Sequence, residues 1–262
     1  MHRMKKHSNE KRFEDFFVEE KYVVLKNYLY NYLLRRRAIN AVLHSGNPGL
    51  ILEVGSGLSP IVTDMDDIVY SELSFRALQT MKARNQRGSY VVADGTRLPF
   101  ASESFGHVVC SEVLEHVEDD EGAIREFARV MRADGRVSVT VPHRKFYFAA
   151  DDRYVRHFRR YEIEEMRGKL SRAGLCAPTV QKVLGPFEKV TMFTTVMAFS
   201  LIQRLGPKKK GAGGSGAWIG WVAPPFKWMN RLLAVVAWLD ARIMPRALST
   251  VVLFEIEKND AS

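Results

Sequence analysis

The sequence predicts an α/β fold in which a mainly parallel sheet is covered by helices on both faces. Short apolar runs alternate with amphipathic helical segments through residues 48–185, as in doubly wound sheets. Several of these runs end directly in a carboxylate or a glycine turn. Ligands of such sheets bind beyond the carboxyl ends of the strands, so the residues that follow each run are the first candidates for a site.

The first predicted strand, residues 51–54, enters the turn Gly55-Ser56-Gly57 with Glu53 just before it. Glycine has no Cβ and lets the backbone approach a ligand, while the acid is available to a cationic or hydroxylated group. This order suits a nucleoside cofactor. A plain connection between a strand and a helix remains the alternative for this segment taken alone.

Acids also end the next two predicted strands. The second strand, near residues 68–74, carries Glu72 about 20 residues after the glycine turn, where a ribose diol is held in nucleotide-binding α/β units. The third strand, residues 89–94, ends at Asp94. For each acid the alternative is an N-cap of the following helix.

The remaining elements complete the alternation. A fourth strand is predicted at residues 105–112, a helix at about 121–131 and a fifth strand at 136–141. A sixth strand is expected near residues 178–184. A last strand follows at residues 250–256.

Six ordered segments resemble the class I S-adenosylmethionine-dependent methyltransferases, specifically the group that includes the ubiquinone and menaquinone biosynthesis enzymes. The resemblance covers roughly residues 48–175 and implies a Rossmann-like, doubly wound, seven-stranded sheet with an N-terminal helical cover and an apolar helical insertion before the last strand. The segments that carry it are residues 53–57, 72–74, 94–100, 104–109, 113–117 and 125–135.

The resemblance also implies a binding site for S-adenosyl-L-methionine. Gly55 and Gly57 would line its methionine part, with Glu53 close to the amino group. Glu72 would accept from the ribose hydroxyls, and its neighbour Leu73 would pack on the adenine. Asp94 would accept a hydrogen bond from the adenine N6 amine, beside the backbone of Gly95. Ser56 and Ser111 complete the set of residues implied to bind the cofactor.

Two departures from the family pattern affect this site. Ser59 and Pro60 stand where the turn usually has its third glycine, and residues 61–67 leave room for only a short helical turn, which predicts a tighter cofactor loop. Glu72 replaces the common Asp and reaches farther. Gly106 and the Ala133-Asp134-Gly135 segment are interpreted as turn variation.

Methyl transfer requires an in-line approach and, where the acceptor atom carries a proton, a base. His116 lies close to the expected methyl position, with a structural role as its alternative. The other candidates for the base are His143, Tyr147 and His157. An acidic substrate would be oriented by a basic run whose members are Arg156, Arg159, Arg160 and Tyr161.

Composition limits the function classes. The chain has 262 residues and a net charge of +9. Its two cysteines have neither metal-ligand spacing nor a disulfide framework, so we expect no metal and a reduced, cytosolic compartment. We expect no nucleic-acid partner, because the chain lacks an Asn/Asp-Pro-Pro-Tyr motif, a Pro-Cys nucleophile and a recognised RNA-binding module. Anionic lipid or an ordinary solvated surface explains the charge equally well.

Four segments organise the chain in this interpretation. Residues 1–47 form an N-terminal helical cover, in which Tyr22 or Tyr28 could contact the cofactor, and residues 48–185 form the cofactor-binding core. Residues 186–249 form an apolar, Trp-rich helical insertion, and residues 250–262 contain the last core strand and tail. Three roles of the insertion remain open. It is a lid alone, or a lid that also rests on the inner face of a membrane with Lys208, Lys209 and Lys210 as anchors, or a surface that binds a protein partner.

These observations lead to a functional hypothesis. We expect a methyltransferase for a small-molecule acceptor that is hydrophobic or lipid-linked. The alternatives are a methyltransferase for a soluble anionic metabolite or glycan end, and a catalytically silent module that binds the cofactor and regulates a partner.

Overall fold

A computed structural model describes residues 26–84, 87–194 and 217–258. Its centre is a seven-stranded sheet with the order β3-β2-β1-β4-β5-β7-β6. The first five strands are parallel, and β7 is antiparallel to both of its neighbours. The predicted doubly wound, seven-stranded sheet is therefore confirmed.

The strands follow the predicted apolar runs with small shifts at their ends. The fifth strand is longer than predicted because the segment 133–135 lies within it rather than in a separate turn, and the sixth begins three residues earlier. The strands are β1 (Ile51–Val54), β2 (Ile68–Glu72), β3 (Ser89–Val92), β4 (Phe105–Ser111), β5 (Met131–Pro142), β6 (Leu175–Leu184) and β7 (Val251–Lys258).

Helices cover both faces of the sheet and bury two apolar clusters. The named helices are α1 (Tyr30–Leu43), α2 (Phe75–Arg84), α3 (Asp120–Val130), α4 (Ala150–Tyr154), α5 (Ile163–Arg172) and α6 (Ala217–Ile243). One cluster joins α3 and α5 to the sheet, and the other joins α1, α2 and α6 to the opposite face. Residues 186–194 are also helical.

Local chemistry explains where α3 begins. The Asp119 side chain accepts a hydrogen bond from the Gly122 backbone at 2.8 Å, which satisfies one of the amides at the start of the helix. Ile124 and Phe127 then point into the core, where both are buried. This helix holds the loop after β4 against the sheet.

The last helix, α6, packs on α1 and β6. The Tyr30 backbone amide donates to Asn230 Oδ1 at 3.1 Å, and the Phe187 amide donates to Asp240 Oδ2 at 3.0 Å. These contacts tie α6 to the start of α1 and to the helical residues 186–194. Among the described helices, none is long and apolar enough to cross a membrane.

Several sequence expectations fall outside the described residues. They concern Tyr22 and the start of the N-terminal stripe, the side chains of Trp218 and Trp221, and Lys208, Lys209 and Lys210. The expected helix before residue 43 is represented in the described part of the chain by α1.

Candidate active site

A cavity of about 360 Å³ opens at the carboxyl ends of the parallel strands, within the size range of small-ligand sites. Residues that directly follow β1, β2, β3 and β4 line it, as the sheet topology requires. Helix α1 and the helical residues 186–194 also contribute to the lining. The cavity thus lies where the sequence predicted a nucleoside cofactor.

The glycine turn after β1 lines one end of the cavity. Gly55 has φ +72°, and a Cβ at this position would lie 2.5 Å from a methyl carbon of Val113. Gly57 also has a positive φ, +56°. Only glycine adopts this backbone freely, so the turn presents main chain rather than side chains to a ligand.

Glu53 is buried against the loop that follows this turn. Its two carboxyl oxygens accept hydrogen bonds from the amides of Ile61 and Val62 at 2.7 and 3.0 Å. Burial raises the pKa of Glu53 to about 7, although these two hydrogen bonds oppose that shift. The acid therefore holds the shortened loop and also lines the cavity.

Glu72 connects the ends of β1 and β2. Its Oε2 accepts from the Gly57 amide and its Oε1 accepts from the Ser74 amide, both at 3.0 Å. A carboxylate oxygen can accept more than one hydrogen bond, so this arrangement orients Glu72 and leaves acceptor capacity toward the cavity. Leu73 lies beside it in the lining.

Asp94 occupies the corresponding position after β3. Its Oδ1 accepts from the amide and the hydroxyl of Thr96, at 2.9 and 2.8 Å. This local turn presents Asp94 and Gly95 to the cavity. The three acids expected at strand ends are thus brought to one cavity, although each also serves the backbone around it.

Two serines complete the predicted cofactor set. Ser56 is buried in the lining, and its hydroxyl oxygen has no hydrogen-bond partner among the described residues. The Ser111 hydroxyl pairs with Thr140 Oγ1 at 2.8 Å and lies 3.4 Å from an Arg35 guanidinium nitrogen. The orphaned hydroxyl of Ser56 and the glycine cradle fit a polar ligand at this end of the cavity.

Glu115, His116 and His157 also line the cavity, and we call the part of the cavity around them its second end. Glu115 is fully buried, and neither of its carboxyl oxygens accepts a hydrogen bond from the described residues. Burial and the nearby Glu112 raise the pKa of Glu115 well above its usual range. The His116 and His157 rings meet edge to face with their centroids 4.7 Å apart.

Asp152 orients His157. Its Oδ1 lies 2.9 Å from His157 Nδ1 and 2.7 Å from Arg160 Nε, and Lys189 Nζ approaches Oδ2 at 2.8 Å. Burial opposes ionisation of Asp152, but His157 and the two cations outweigh it and hold the pKa of this carboxyl below its usual range. An ionised Asp152 favours a proton on His157 Nδ1, which leaves Nε2 directed at Glu115.

The other predicted substrate and catalytic residues are distributed differently. Arg156 and Arg160 line the cavity, and Arg160 is already paired with Asp152. Arg159 pairs with Asp120 at 3.0 Å, and the buried Tyr161 hydroxyl donates to Asp120 at 2.9 Å and contacts the Leu114 carbonyl. Neither Arg159 nor Tyr161 is part of the cavity lining.

His143 and Tyr147 also lie outside that lining. His143 Nδ1 is 2.8 Å from the Ser249 hydroxyl, and the Tyr147 hydroxyl donates to the Leu248 carbonyl at 3.3 Å. Burial lowers the pKa of His143. Both side chains therefore join the end of β5 to the segment before β7.

Besides Glu115 and Asp151, sequence reasoning missed three further acids of the lining. Glu112 directly follows β4 in the left-handed region, at φ +55°, and Glu188 enters from the helical residues 186–194. Each has one buried oxygen without a hydrogen-bond partner in the described structure. Asp152, the third, is 37 residues from Glu115 in the chain, and no local pattern joins them. The position of Glu112 at a strand end was the one signal that could have indicated it.

A metal ion is sterically compatible with part of this cluster. Glu115, His116 and His157 each offer one ligand atom, and these atoms lie within 4.8 Å of one another. No sequence pattern predicts such a group, because two of the residues are adjacent and the third is far along the chain.

Comparison with known proteins decides the family. A family model described as a methyltransferase domain matches residues 52–139, which include the glycine turn, the three acids and the residues after β4. Residues 52–139 are a class I S-adenosylmethionine-dependent methyltransferase domain. The sequence-based resemblance is thereby confirmed, and the cofactor of this class is S-adenosyl-L-methionine.

Curated relatives extend the match without covering whole proteins. The chain is 33% identical over 110 residues to a demethylmenaquinone methyltransferase of Streptomyces griseus, covering 40% of this chain and 48% of the relative. It is 33% identical over 108 residues to the protein of that name from Mycolicibacterium paratuberculosis, covering 40% and 46%. The chain thus spans about half the length of these relatives.

Solved structures share the methyltransferase fold over most of the chain. An S-adenosylmethionine-dependent methyltransferase of Thermotoga maritima has a TM-score of 0.61 at 16% identity, with 96% of this chain and 99% of that chain covered. Phosphoethanolamine N-methyltransferase 2 of Haemonchus contortus, in complex with S-adenosyl-L-methionine, has a TM-score of 0.58 at 16% identity, with coverage of 95% and 60%. At this identity the likeness concerns the fold alone.

Proposed function

We propose that this chain transfers the methyl group of S-adenosyl-L-methionine to a small-molecule acceptor that is hydrophobic or lipid-linked. One observation carries the proposal: a single cavity joins the glycine and acid cradle of the methyltransferase domain to a second end, where an orphaned carboxyl and two histidines lie between apolar walls. One end suits the cofactor and the other suits an acceptor.

The cofactor end matches the chemistry of its ligand. The ribose diol and the adenine amine are hydrogen-bond donors, and Glu72 and Asp94 are acceptors already oriented by backbone contacts. Gly55 and Gly57, with positive φ and no side chain of their own, present main chain to the cavity. We therefore assign the ribose to Glu72, the adenine to Leu73 and Asp94, and the methionine part to the glycine turn.

The acceptor end has apolar walls beside a charged cluster of acids, histidines and arginines. Such walls bury a hydrophobic ring or chain favourably and contribute little to a compact charged metabolite. The name of the curated relatives, demethylmenaquinone methyltransferase, points in the same direction. The apolar side chains that line the cavity and that we assign to this wall are Leu114, Val117, Val155 and Met192.

The cofactor supplies a methyl group that is activated by its bond to a positively charged sulfur, so the main task of the protein is alignment. An acceptor atom that received this methyl group would have to release any proton it carries. We assign that proton to His157 Nε2, since Asp152 holds the other ring nitrogen. His116 positions the His157 ring through their edge-to-face contact.

The proposal is tested with cofactor carrying a labelled methyl group. The chain is incubated with a total lipid extract and, separately, with a water-soluble metabolite extract, and labelled products are identified by mass. We expect label in an organic-phase product, and much less of it with Glu72→Ala when the cofactor is not saturating. Label confined to water-soluble products would contradict a hydrophobic acceptor. Cofactor binding without any labelled product from either extract would indicate the silent regulatory module.

A further inference from the structure

One face of α6 is apolar and exposed to solvent. It consists of Trp228, Leu232, Val235, Leu239 and Ile243, which follow one another at steps of three or four residues and so share a side of the helix. Trp228 is 65% exposed and Ile243 is 75% exposed. We call these five residues the apolar face of α6.

Contacts within the described part of the chain do not account for this face. The opposite side of α6 supplies the contacts with the rest of the protein, through the buried residues Asn230, Ala237 and Ala241. The helix is therefore held in place without its apolar face. From Trp228 to Ile243 the face runs about 22 Å along the helix axis, given a rise of about 1.5 Å per residue.

The charges around this face have one sign. Arg231 and Arg242 lie along one edge of it and are exposed. Asp240 is the one acid within the sequence of α6, and it accepts a hydrogen bond from the Phe187 amide instead of balancing those arginines. At the same edge the Trp238 ring contacts the Arg37 and Arg242 guanidinium groups, at 5.3 and 5.2 Å.

We propose that the apolar face of α6 docks on an anionic phospholipid bilayer, with the helix axis parallel to the membrane plane. The five side chains would enter the acyl region, while Arg231, Arg242 and the aromatic edge would meet the phosphates, as in interfacial helices. In a second copy of this chain the one acid of α6, Asp240, is already engaged with the Phe187 amide rather than presented to the arginines. Charge complementarity therefore favours the lipid surface.

The position of α6 relates this docking to the cavity. Asp240 holds the Phe187 amide, and the same helical residues 186–194 place Glu188 and Met192 in the cavity wall. A docked α6 would bring that wall to the bilayer surface. The docking is independent of the proposed methyl transfer, because it depends on a different surface and is measured without turnover.

The experiment measures sedimentation of the full chain with vesicles of phosphatidylcholine alone and of phosphatidylcholine mixed with phosphatidylglycerol. We expect the protein to sediment mainly with the mixed vesicles and high salt to release part of it. Leu232→Glu/Leu239→Glu should abolish binding. Arg231→Gln/Arg242→Gln should weaken it by about 30-fold, since each cation near such a surface contributes to affinity.

The matched control is Arg125→Gln/Arg132→Gln, which also removes two positive charges. Arg125 lies on α3, and Arg132 lies at the start of β5, next to the end of that helix. This variant should sediment like the unmodified chain. Melting temperature and cofactor affinity establish that each variant is folded. Negligible sedimentation with both kinds of vesicle, or equal loss in the control pair, would overturn the proposal. So would a lipid-free dimer that Leu232→Glu/Leu239→Glu dissociates, because a second copy would then occupy the face.

Discussion

His157 Nε2 lies 3.7 Å from Glu115 Oε1, and Asp152 holds the other nitrogen of the same ring at 2.9 Å. This relationship places an oriented imidazole next to a carboxyl whose oxygens accept no hydrogen bond from the described residues. A buried acceptor without a partner is costly unless a ligand or proton satisfies it. The pair therefore lies where an acceptor molecule would complete its hydrogen bonds.

Substitution of His157 should slow the chemical step. If His157 Nε2 takes the proton of the acceptor, His157→Gln should lower kcat by about 100-fold or more, the usual scale of general base catalysis. Cofactor affinity should change little, because His157 contacts Glu115, Asp152 and His116, none of which is assigned to the cofactor. The measurement is turnover as a function of pH on the folded variant. Unchanged kcat with a normal pH profile would remove His157 as the base.

The neighbouring histidine should behave differently. His116→Ala should lower the melting temperature and reduce turnover per folded molecule only modestly, since its ring packs against His157 rather than receiving the proton. His44→Gln, at an exposed position directly after α1, is the matched control and should change neither quantity. A stable His116→Ala protein that binds both ligands but turns over about 100-fold more slowly would contradict this assignment.

Cofactor binding should depend on Glu72. S-Adenosyl-L-methionine and S-adenosylhomocysteine should raise the melting temperature, because ligands that bind the native state stabilise it. Glu72→Ala should weaken binding by about 1.5 to 3 kcal/mol, the range for hydrogen bonds to a charged group. Calorimetry measures the affinity, and Glu164→Ala at an exposed site on α5 is the control. An unchanged affinity in Glu72→Ala would place the ribose elsewhere.

The glycine turn offers a steric test. Gly55→Ala would bring a Cβ to within 2.5 Å of Val113 in a left-handed backbone, so the turn must distort. We expect a lower melting temperature and a cofactor affinity reduced at least tenfold. Gly46→Ala is the matched control, since a Cβ there meets nothing within 4 Å. Equal effects of the two substitutions would show that the turn tolerates a side chain.

Glu53 should make the stability of the ligand-free protein depend on pH. Its pKa is about 7 in the folded chain, raised from 4.5. Between pH 4.5 and pH 7 the unfolded chain has lost the proton that folded Glu53 still holds. The free energy of unfolding therefore falls as pH rises through this range, and the decrease is complete above pH 7. Below pH 4.5 both states are protonated, and this contribution to the pH dependence vanishes.

Denaturant unfolding at pH 5 and pH 8 measures that slope. Glu53→Gln should reduce the difference in the free energy of unfolding between pH 5 and pH 8 by at most about 3 kcal/mol, which is the change in the pKa of Glu53 converted to free energy. Because the substitution also alters the contacts with the Ile61 and Val62 amides, the slope and not the absolute stability is compared. Glu164→Gln should keep the original slope. Parallel slopes for Glu53→Gln and the unmodified chain would mean that Glu53 titrates normally.

The sequence by itself determined the elements and their order. Apolar runs with turn residues after them set β1 to β4, and the order of six segments indicated the methyltransferase core. The cofactor acids could be predicted because each is local to the end of a strand, and parallel strands bring those ends to one edge of the sheet. Glu53, Glu72 and Asp94 accordingly meet at one cavity.

Only the tertiary structure decided which side chains complete the acceptor end. Asp152 holds His157 and Arg160, so an arginine predicted to meet substrate is paired within the protein. Glu188 enters the same cavity from a segment more than 70 residues beyond Glu115. Periodicity describes which face of an element is buried, but it does not specify which distant segment covers that face. Those partners depend on how the whole chain packs.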